Sequence, residues 1–65
     1  MDNDILKGKW TELKGRMRQQ YGELTDDEIE EAKGDRERLE GLLQQRYGQT
    51  KDEARSNVDD MLAGV

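Results

Sequence analysis

The densest run of side chains that could bind a ligand is a stretch of carboxylates between Glu23 and Glu31. It contains no basic residue, and its acidic members are Glu23, Asp26, Asp27, Glu28, Glu30 and Glu31. Carboxylates bind calcium and magnesium, but a calcium loop needs alternating acids around a glycine, and that spacing is absent here. A solvated helix start, where the helix dipole favours negative charge, explains the run better than a metal site. Weak divalent-cation binding is the alternative.

Basic side chains gather in the first predicted helix. They are Lys7, Lys9, Lys14, Arg16 and Arg18, and Glu12 is the acid among them. Lys7, Lys14 and Arg18 border one side of the apolar stripe of that helix. A nucleic-acid surface needs a continuous basic face with aromatic groups for stacking, whereas these residues border the core as snorkelling side chains do. Nucleic-acid binding is therefore disfavoured, and pairing with the acidic run, within one chain or between two, is the third possibility.

Catalytic groups are scarce in this sequence. The chain has no histidine and no cysteine, so the usual general base, thiol chemistry and the commonest metal ligands are absent. Thr25 and Thr50 are explained as helix caps, and Ser56 has no histidine to activate it. The segment GKWTELKG lacks the preceding strand and the compact glycine spacing of a phosphate-binding loop. We therefore expect no catalytic, cofactor or metal site, no small-molecule substrate and no enzyme activity.

Length and composition predict one small, hydrophilic domain spanning residues 1–65. Charged residues make up 42% of the chain, hydrophobic residues 31%, and the net charge is −5. No apolar run is long enough to span a membrane, and the first ten residues, MDNDILKGKW, lack the basic start and apolar stretch of a signal peptide. The expected location is the cytoplasm.

The chain repeats one pattern with an offset of 26 residues. The identical pairs are Lys7/Lys33, Gly8/Gly34, Leu13/Leu39, Gly15/Gly41, Gln19/Gln45, Tyr21/Tyr47 and Gly22/Gly48. One residue is then lost, and the further pairs are Thr25/Thr50, Asp27/Asp52 and Glu28/Glu53. We call residues 7–32 the first copy and residues 33–62 the second copy.

Each copy predicts a helix, a stop, a cap and a second helix. In the first copy the apolar residues Leu6, Trp10, Leu13, Met17 and Tyr21 form one helical stripe. Gly22 and Gly48 are predicted left-handed stops. Thr25 with Glu28, and Thr50 with Glu53, have the spacing of capping boxes.

The pattern therefore predicts an all-α fold of four short helices, near residues 4–21, 26–33, 35–47 and 51–62. Each copy forms an αα-hairpin that cannot bury its own apolar stripe, so the two hairpins must pack on each other. The predicted core comprises Trp10, Leu13, Met17, Tyr21, Leu24, Ile29, Leu39, Leu43, Tyr47, Val58 and Leu62. Gly15 and Gly41 lie opposite the stripe, where they either soften the helices or admit another backbone at close range.

Two segments, GKWTELKGRMRQQYGELTDDE and KGDRERLEGLLQQRYGQTKDEA, resemble the CsbD-like family of small bacterial general-stress proteins. The resemblance runs from Asp4 to Asp60, with its most specific matches at Gly8–Lys9–Trp10 and at Tyr21–Gly22 and Tyr47–Gly48. It implies an acidic cytoplasmic protein of two αα-hairpins packed orthogonally, similar in outline to SAM domains. It also implies production under general stress, with no assigned molecular activity and no catalytic or ligand residue. The final residues, MLAGV, depart from relatives that continue with aromatic residues.

Three functions follow as hypotheses. The first is a non-enzymatic hydrophilic stress protectant. The second is a protein–protein interaction or self-association module, in which the basic edge of the first helix meets the acidic start of the second. The residues of this possible interaction surface are Lys7, Lys14, Gly15, Arg18, Asp26, Asp27, Glu30 and Gly41. The third, nucleic-acid binding through the first helix, is opposed by the acidic net charge.

Overall fold

The first predicted helix, residues 4–21, is divided in the structure. The computed structural model describes residues 2–65, and this range is all-helical with five helices rather than four. They are α1 (Asp2–Gly8), α2 (Trp10–Gln20), α3 (Asp26–Glu31), α4 (Arg36–Tyr47) and α5 (Lys51–Ala63).

The break between α1 and α2 falls at Lys9. This residue has φ −114° and ψ 15°, outside the helical region, and it caps α2 without a side-chain hydrogen bond. Backbone hydrogen bonds nevertheless continue through the break, from Lys9 N to Ile5 O at 3.0 Å and from Leu13 N to Lys9 O at 2.9 Å. Gly8 is a weak helix former beside the break, which explains why one predicted helix becomes two.

Both predicted capping boxes are confirmed. The Thr25 hydroxyl accepts from Glu28 N at 3.2 Å while the Glu28 carboxylate accepts from Thr25 N at 3.0 Å. Thr50 and Glu53 form the same reciprocal pair, at 3.1 and 2.8 Å. These bonds satisfy backbone donors that have no partner inside the helix, and so they fix where α3 and α5 begin.

Of the two predicted left-handed stops, Gly48 is confirmed and Gly22 is wrong. Gly48 has φ +63° at the end of α4, whereas α2 ends at Tyr21, which is neither helical nor left-handed, with φ −123° and ψ 77°. The chain then turns through a hydrogen bond from Leu24 N to Tyr21 O at 3.1 Å, so Gly22 needs no left-handed geometry. Gly34 is the other glycine with positive φ, at +70°.

The core takes side chains from both copies. Its buried members are Leu6, Trp10, Leu13, Met17, Tyr21, Leu24, Ile29, Ala32, Leu39, Leu43, Ala54, Val58 and Met61. Two predicted core residues, Tyr47 and Leu62, are instead half-buried at its edge. On α5, Ala54, Val58 and Met61 face inward, which turns Leu62 toward the edge.

Helix contacts within and between the copies position the surface described below. α4 packs on α5, and α2 packs on α3. The copies meet where α1 and α3 contact α4 and where α2 contacts α5. The orthogonal hairpin arrangement and the SAM-like outline stay predictions. Within residues 2–65, no helix has the length and apolar character required to cross a bilayer.

Candidate functional surface

The basic edge of α2 and the acidic start of α3 meet within one chain. Lys14 Nζ lies 3.1 Å from Glu30 Oε1 and 3.9 Å from Asp26 Oδ1. Arg18 forms an ion pair with the same Asp26 carboxylate. We call these four residues the α2–α3 charge cluster. It joins four of the predicted interaction residues through intrachain contacts.

Trp10 anchors the α2–α3 charge cluster to the core. The residue is 3% exposed, and its indole Nε1 donates to Glu30 Oε1 at 3.0 Å. The hydrogen bonds from Trp10 and then from Lys14 hold the pKa of the Glu30 carboxyl below its ordinary value. A carboxylate that receives two donors is favoured in its charged form, so Glu30 orients Trp10 and Lys14 together.

The intrachain pairing changes the meaning of the predicted interaction surface. The charges of Lys14, Arg18, Asp26 and Glu30 already have partners of opposite sign. A second molecule that bound here would have to replace these intrachain ion pairs with intermolecular ones. The gain in binding free energy would be small, because a surface ion pair contributes little. Asp27, another residue of the predicted interaction surface, is exposed and has no ion-pair partner within residues 2–65.

Lys7, Gly15 and Gly41 lie apart from these ion pairs. The aliphatic part of Lys7 covers Gly34, where an added Cβ would lie 2.6 Å from Lys7 Cγ. An added Cβ at Gly15 or Gly41 would meet no atom within 4 Å. Gly15 is exposed on α2, and Gly41 is half-buried beside an open groove between α3 and α4. Neither glycine is required by close packing within this chain.

A second charged cluster, which sequence reasoning missed, lies between α4 and α5. Arg36 Nε donates to Glu40 Oε2 at 2.7 Å, and the Arg36 guanidinium also pairs with Asp59 and donates to Arg55 O at 3.2 Å. The Arg36 and Glu40 side chains are only 15% and 10% exposed. Burial alone would lower the pKa of Arg36, but the bonds to Asp59 and Glu40 hold it above its ordinary value.

The start of α4 is capped from two parts of the chain. The Asp35 carboxylate accepts from Glu37 N at 3.0 Å and from Arg38 N at 3.3 Å. The Asn3 side chain in α1 accepts from Arg36 N at 3.0 Å. Together they satisfy the first donors of α4, and they tie α1 to the second copy.

The two charged clusters begin at equivalent positions of the repeat, although their partners on the following helices are not equivalent. Trp10 aligns with Arg36, and Lys14 aligns with Glu40. In the first copy an indole reaches the following helix at Glu30, and in the second a guanidinium reaches the following helix at Asp59. Two features of the sequence could have indicated this cluster. Arg36 and Glu40 have the i, i+4 spacing of a helical ion pair, and Arg36 stands in the second copy where the first copy has Trp10.

Tyr21 and Tyr47, another equivalent pair, meet where the copies join. Their ring centroids are 4.9 Å apart with the planes inclined by 54°. Glu23 N donates to the Tyr47 hydroxyl at 3.2 Å, and Gln49 Nε2 lies 3.5 Å from the Tyr21 hydroxyl. This tilted packing is a favourable geometry for aromatic rings.

A further link between the copies joins α4 to the start of α3. Arg46 forms an ion pair with Glu28, whose other carboxylate oxygen closes the capping box. The hydrogen bond from Thr25 N, followed by the charge of Arg46, holds the pKa of Glu28 below its ordinary value.

Comparison of the sequence with known proteins gives a family match. The family model described as CsbD-like matches residues 4–56. The chain is 52% identical over 58 residues to a UPF0337 protein of Bordetella pertussis, covering 89% of this chain and 88% of that protein. It is 45% identical over 61 residues to a UPF0337 protein of Pseudomonas aeruginosa, covering 94% of each chain. It is 43% identical over 60 residues to the UPF0337 protein YjbJ of Salmonella typhimurium, covering 92% and 86%. No solved structure matches the chain.

Proposed function

Since this chain belongs to the CsbD-like family of general-stress proteins, we propose that it is a non-enzymatic, hydrophilic protectant of other proteins in the bacterial cytoplasm. It acts by remaining dispersed and hydrated when the cell interior becomes concentrated. The proposal needs no specific partner and no ligand.

The observation that carries the proposal is the near absence of exposed large apolar groups on the described surface. Within residues 2–65, the large hydrophobic side chain that is exposed is Ile5, at 49%. Contiguous apolar patches are what usually mark a binding surface or an aggregation site. A surface of this kind supports dispersion in concentrated solution rather than capture of an apolar segment.

Charge supports the same mechanism. The chain carries a net charge of −5 with 42% charged residues and a mean hydropathy of −1.25. Several of its cations are held in intrachain ion pairs, including Lys14, Arg18 and Arg46. Unpaired carboxylates such as Asp27 therefore give the outer surface a hydrated, anionic character. Such charge keeps molecules apart by mutual repulsion.

The physical sequence of events is simple. Water loss raises the concentration of every protein, so encounters between partly unfolded chains become frequent. Copies of this protein occupy the space between them, retain water around their charged groups and form no lasting contacts. Protection then depends on the mass of protectant present, because no binding site is saturated.

A dehydration assay tests the proposal. A drying-sensitive enzyme is dried and rehydrated with increasing amounts of this protein, and the control is an equal mass of an inert acidic protein of similar size and charge. We expect recovered enzyme activity to rise gradually with added mass and to match the control closely. If amounts far below one molecule per enzyme molecule protect better than the control, the chain acts by specific binding and the proposal is wrong.

A sedimentation measurement separates protection from self-association. Because the α2–α3 charge cluster is satisfied within the chain, we expect a monomer at both low and high salt. Salt-sensitive oligomers would favour the interaction module instead, since screening weakens charge pairing between molecules.

A further inference from the structure

We propose that Tyr21 and Tyr47 form an oxidative modification site, at which a one-electron oxidant joins the two rings as an intrachain dityrosine. The proposal concerns chemistry that the protectant function does not require. It rests on the ring geometry, on the chain positions of the two residues and on the absence of thiols.

The geometry places the two phenols in contact before any reaction. With centroids 4.9 Å apart and planes inclined by 54°, facing ring edges lie within van der Waals range, roughly 3.5–4.0 Å between carbons. Coupling then requires the carbons ortho to the two hydroxyls to come together from this contact. Two radicals formed on rings already in contact combine before they meet another molecule.

The backbone near both rings permits this approach. Tyr21 follows the last residue of α2 and has a non-helical conformation, and Tyr47 is the last residue of α4. Each tyrosine precedes a glycine, Gly22 or Gly48, which gives the chain freedom beside the ring. Tyr47 is also half-buried, so an oxidant in solution reaches at least one phenol.

Within residues 2–65, competing reductants are few in this chain. It has no cysteine, so no thiol intercepts the oxidant. Met17 and Met61 are at most 1% exposed, and Trp10 is 3% exposed. Among the described residues, the half-buried Tyr47 is therefore an accessible starting point for oxidation, with Tyr21 next to it.

The reaction balances with two equivalents of an oxygen-centred radical or another one-electron oxidant. Each phenol gives one electron to the oxidant and one proton to water, which leaves two phenoxyl radicals. A carbon–carbon bond then forms between the ring positions ortho to the two oxygens. The hydrogens on these carbons move to the oxygens, so the product retains two phenols and has lost two hydrogen atoms.

The product locks the two copies together. The new bond closes the loop from residue 21 to residue 47 and restricts the unfolded chain as a disulfide of that span would. By that analogy we expect the melting temperature to rise by on the order of 10 °C. The chain has no disulfide to serve this purpose.

The test is mild photo-oxidation of the full chain at low micromolar concentration with a ruthenium trisbipyridine complex, light and persulfate. Trypsin then releases residues 19–33 and residues 47–51 as separate peptides. We expect mass spectrometry to find these two peptides joined and short of two hydrogens, together with dityrosine fluorescence. Tyr21→Phe and Tyr47→Phe, which keep the ring packing, should each abolish the joined peptide while retaining the helical circular dichroism.

The same oxidation in urea shows whether the fold directs the coupling, and it needs no variant. We expect the joined peptide to fall several-fold when the chain is unfolded. Equal yields in folded and unfolded chains would overturn the proposal. It would equally be overturned by hydroxylated tyrosines without coupling, or by dimers joined between chains as the main product.

Discussion

The rings of Tyr21 and Tyr47 pack against each other with centroids 4.9 Å apart, although the residues are 26 positions apart in sequence and equivalent in the repeat. Around them, α1 and α3 contact α4, and α2 contacts α5. The apolar surface of each copy is therefore covered by the other copy. Neither copy encloses its own apolar stripe.

Separated copies should not fold. We expect peptides of residues 1–32 and 33–65 each to show little helical circular dichroism, because each loses the surface that covers its stripe and short isolated helices are marginal in water. The full chain at the same concentration is the control. The account would be contradicted if either separate peptide were as helical as the same residues are in the full chain.

Alanine substitutions at two different glycines should change the free energy of unfolding in opposite directions. Gly34→Ala should destabilise the fold by about 1–3 kcal/mol, because residue 34 has φ +70° and the added Cβ would collide with Lys7. Gly15→Ala should stabilise it by about 1 kcal/mol, because an added methyl group there meets nothing within 4 Å. Urea unfolding measures both.

Gly41→Ala is the repeat-related control for Gly15→Ala and should also stabilise the fold. Loss of stability at both positions would show that the helices need flexibility there. Retained stability with reduced protection in the drying assay would instead indicate that another backbone contacts this face.

The Arg36–Glu40 pair should be the most sensitive charged site. Arg36→Ala should cost about 3 kcal/mol, because it leaves the largely buried Glu40 carboxylate without its guanidinium. Arg36→Met combined with Glu40→Leu should recover most of the loss, since no charge is then left unpaired.

The comparison variant for this cluster is Asp59→Asn. The Asp59 side chain is 60% exposed. Loss of its negative charge should therefore change the free energy of unfolding by less than about 1 kcal/mol. Similar losses for Arg36→Ala and Asp59→Asn would mean that burial does not control the strength of this cluster.

Acid should weaken the fold through Glu28 and Glu30. Both have a pKa below the ordinary 4.5 in the folded chain, so folding favours their charged forms. Their contribution is complete above pH 4.5 and is lost as the pH falls through the folded pKa values.

Trp10→Phe isolates the Glu30 contribution, because phenylalanine keeps a ring but removes the indole donor. An NMR titration of the side-chain carboxyl carbons should show the Glu30 pKa moving up toward 4.5, with Glu28 as the unchanged internal reference. An unaltered Glu30 titration would show that the indole does not hold this carboxylate.

The sequence predicted what depends on local chemistry. Capping needs a threonine and a glutamate at fixed spacing, and both boxes form. The apolar stripes identified most of the core. Tyr47 lies at the edge because its hydroxyl accepts from Glu23 N, a contact that depends on how the copies meet rather than on spacing.

What the sequence did not reveal depends on contacts between distant segments. Periodicity ran unbroken through Lys9, so the division of the first helix was missed. The Arg36 cluster was missed because charged residues at helical spacing usually face solvent, and its burial comes from α5 packing over α4. The sequence placed basic residues on the first helix and acidic residues at the start of the next, but their pairing within one chain depends on the α2–α3 contact.

The most direct test of the protectant function is crosslinking inside osmotically stressed bacterial cells. A photo-crosslinking amino acid replaces the exposed Asp27, captured proteins are identified, and unstressed cells serve as the control. We predict a broad set of captured proteins whose proportions follow their abundance, because a protectant has no preferred partner. One dominant protein, captured in excess of its abundance and saturating as expression rises, would contradict the account and identify an interaction module.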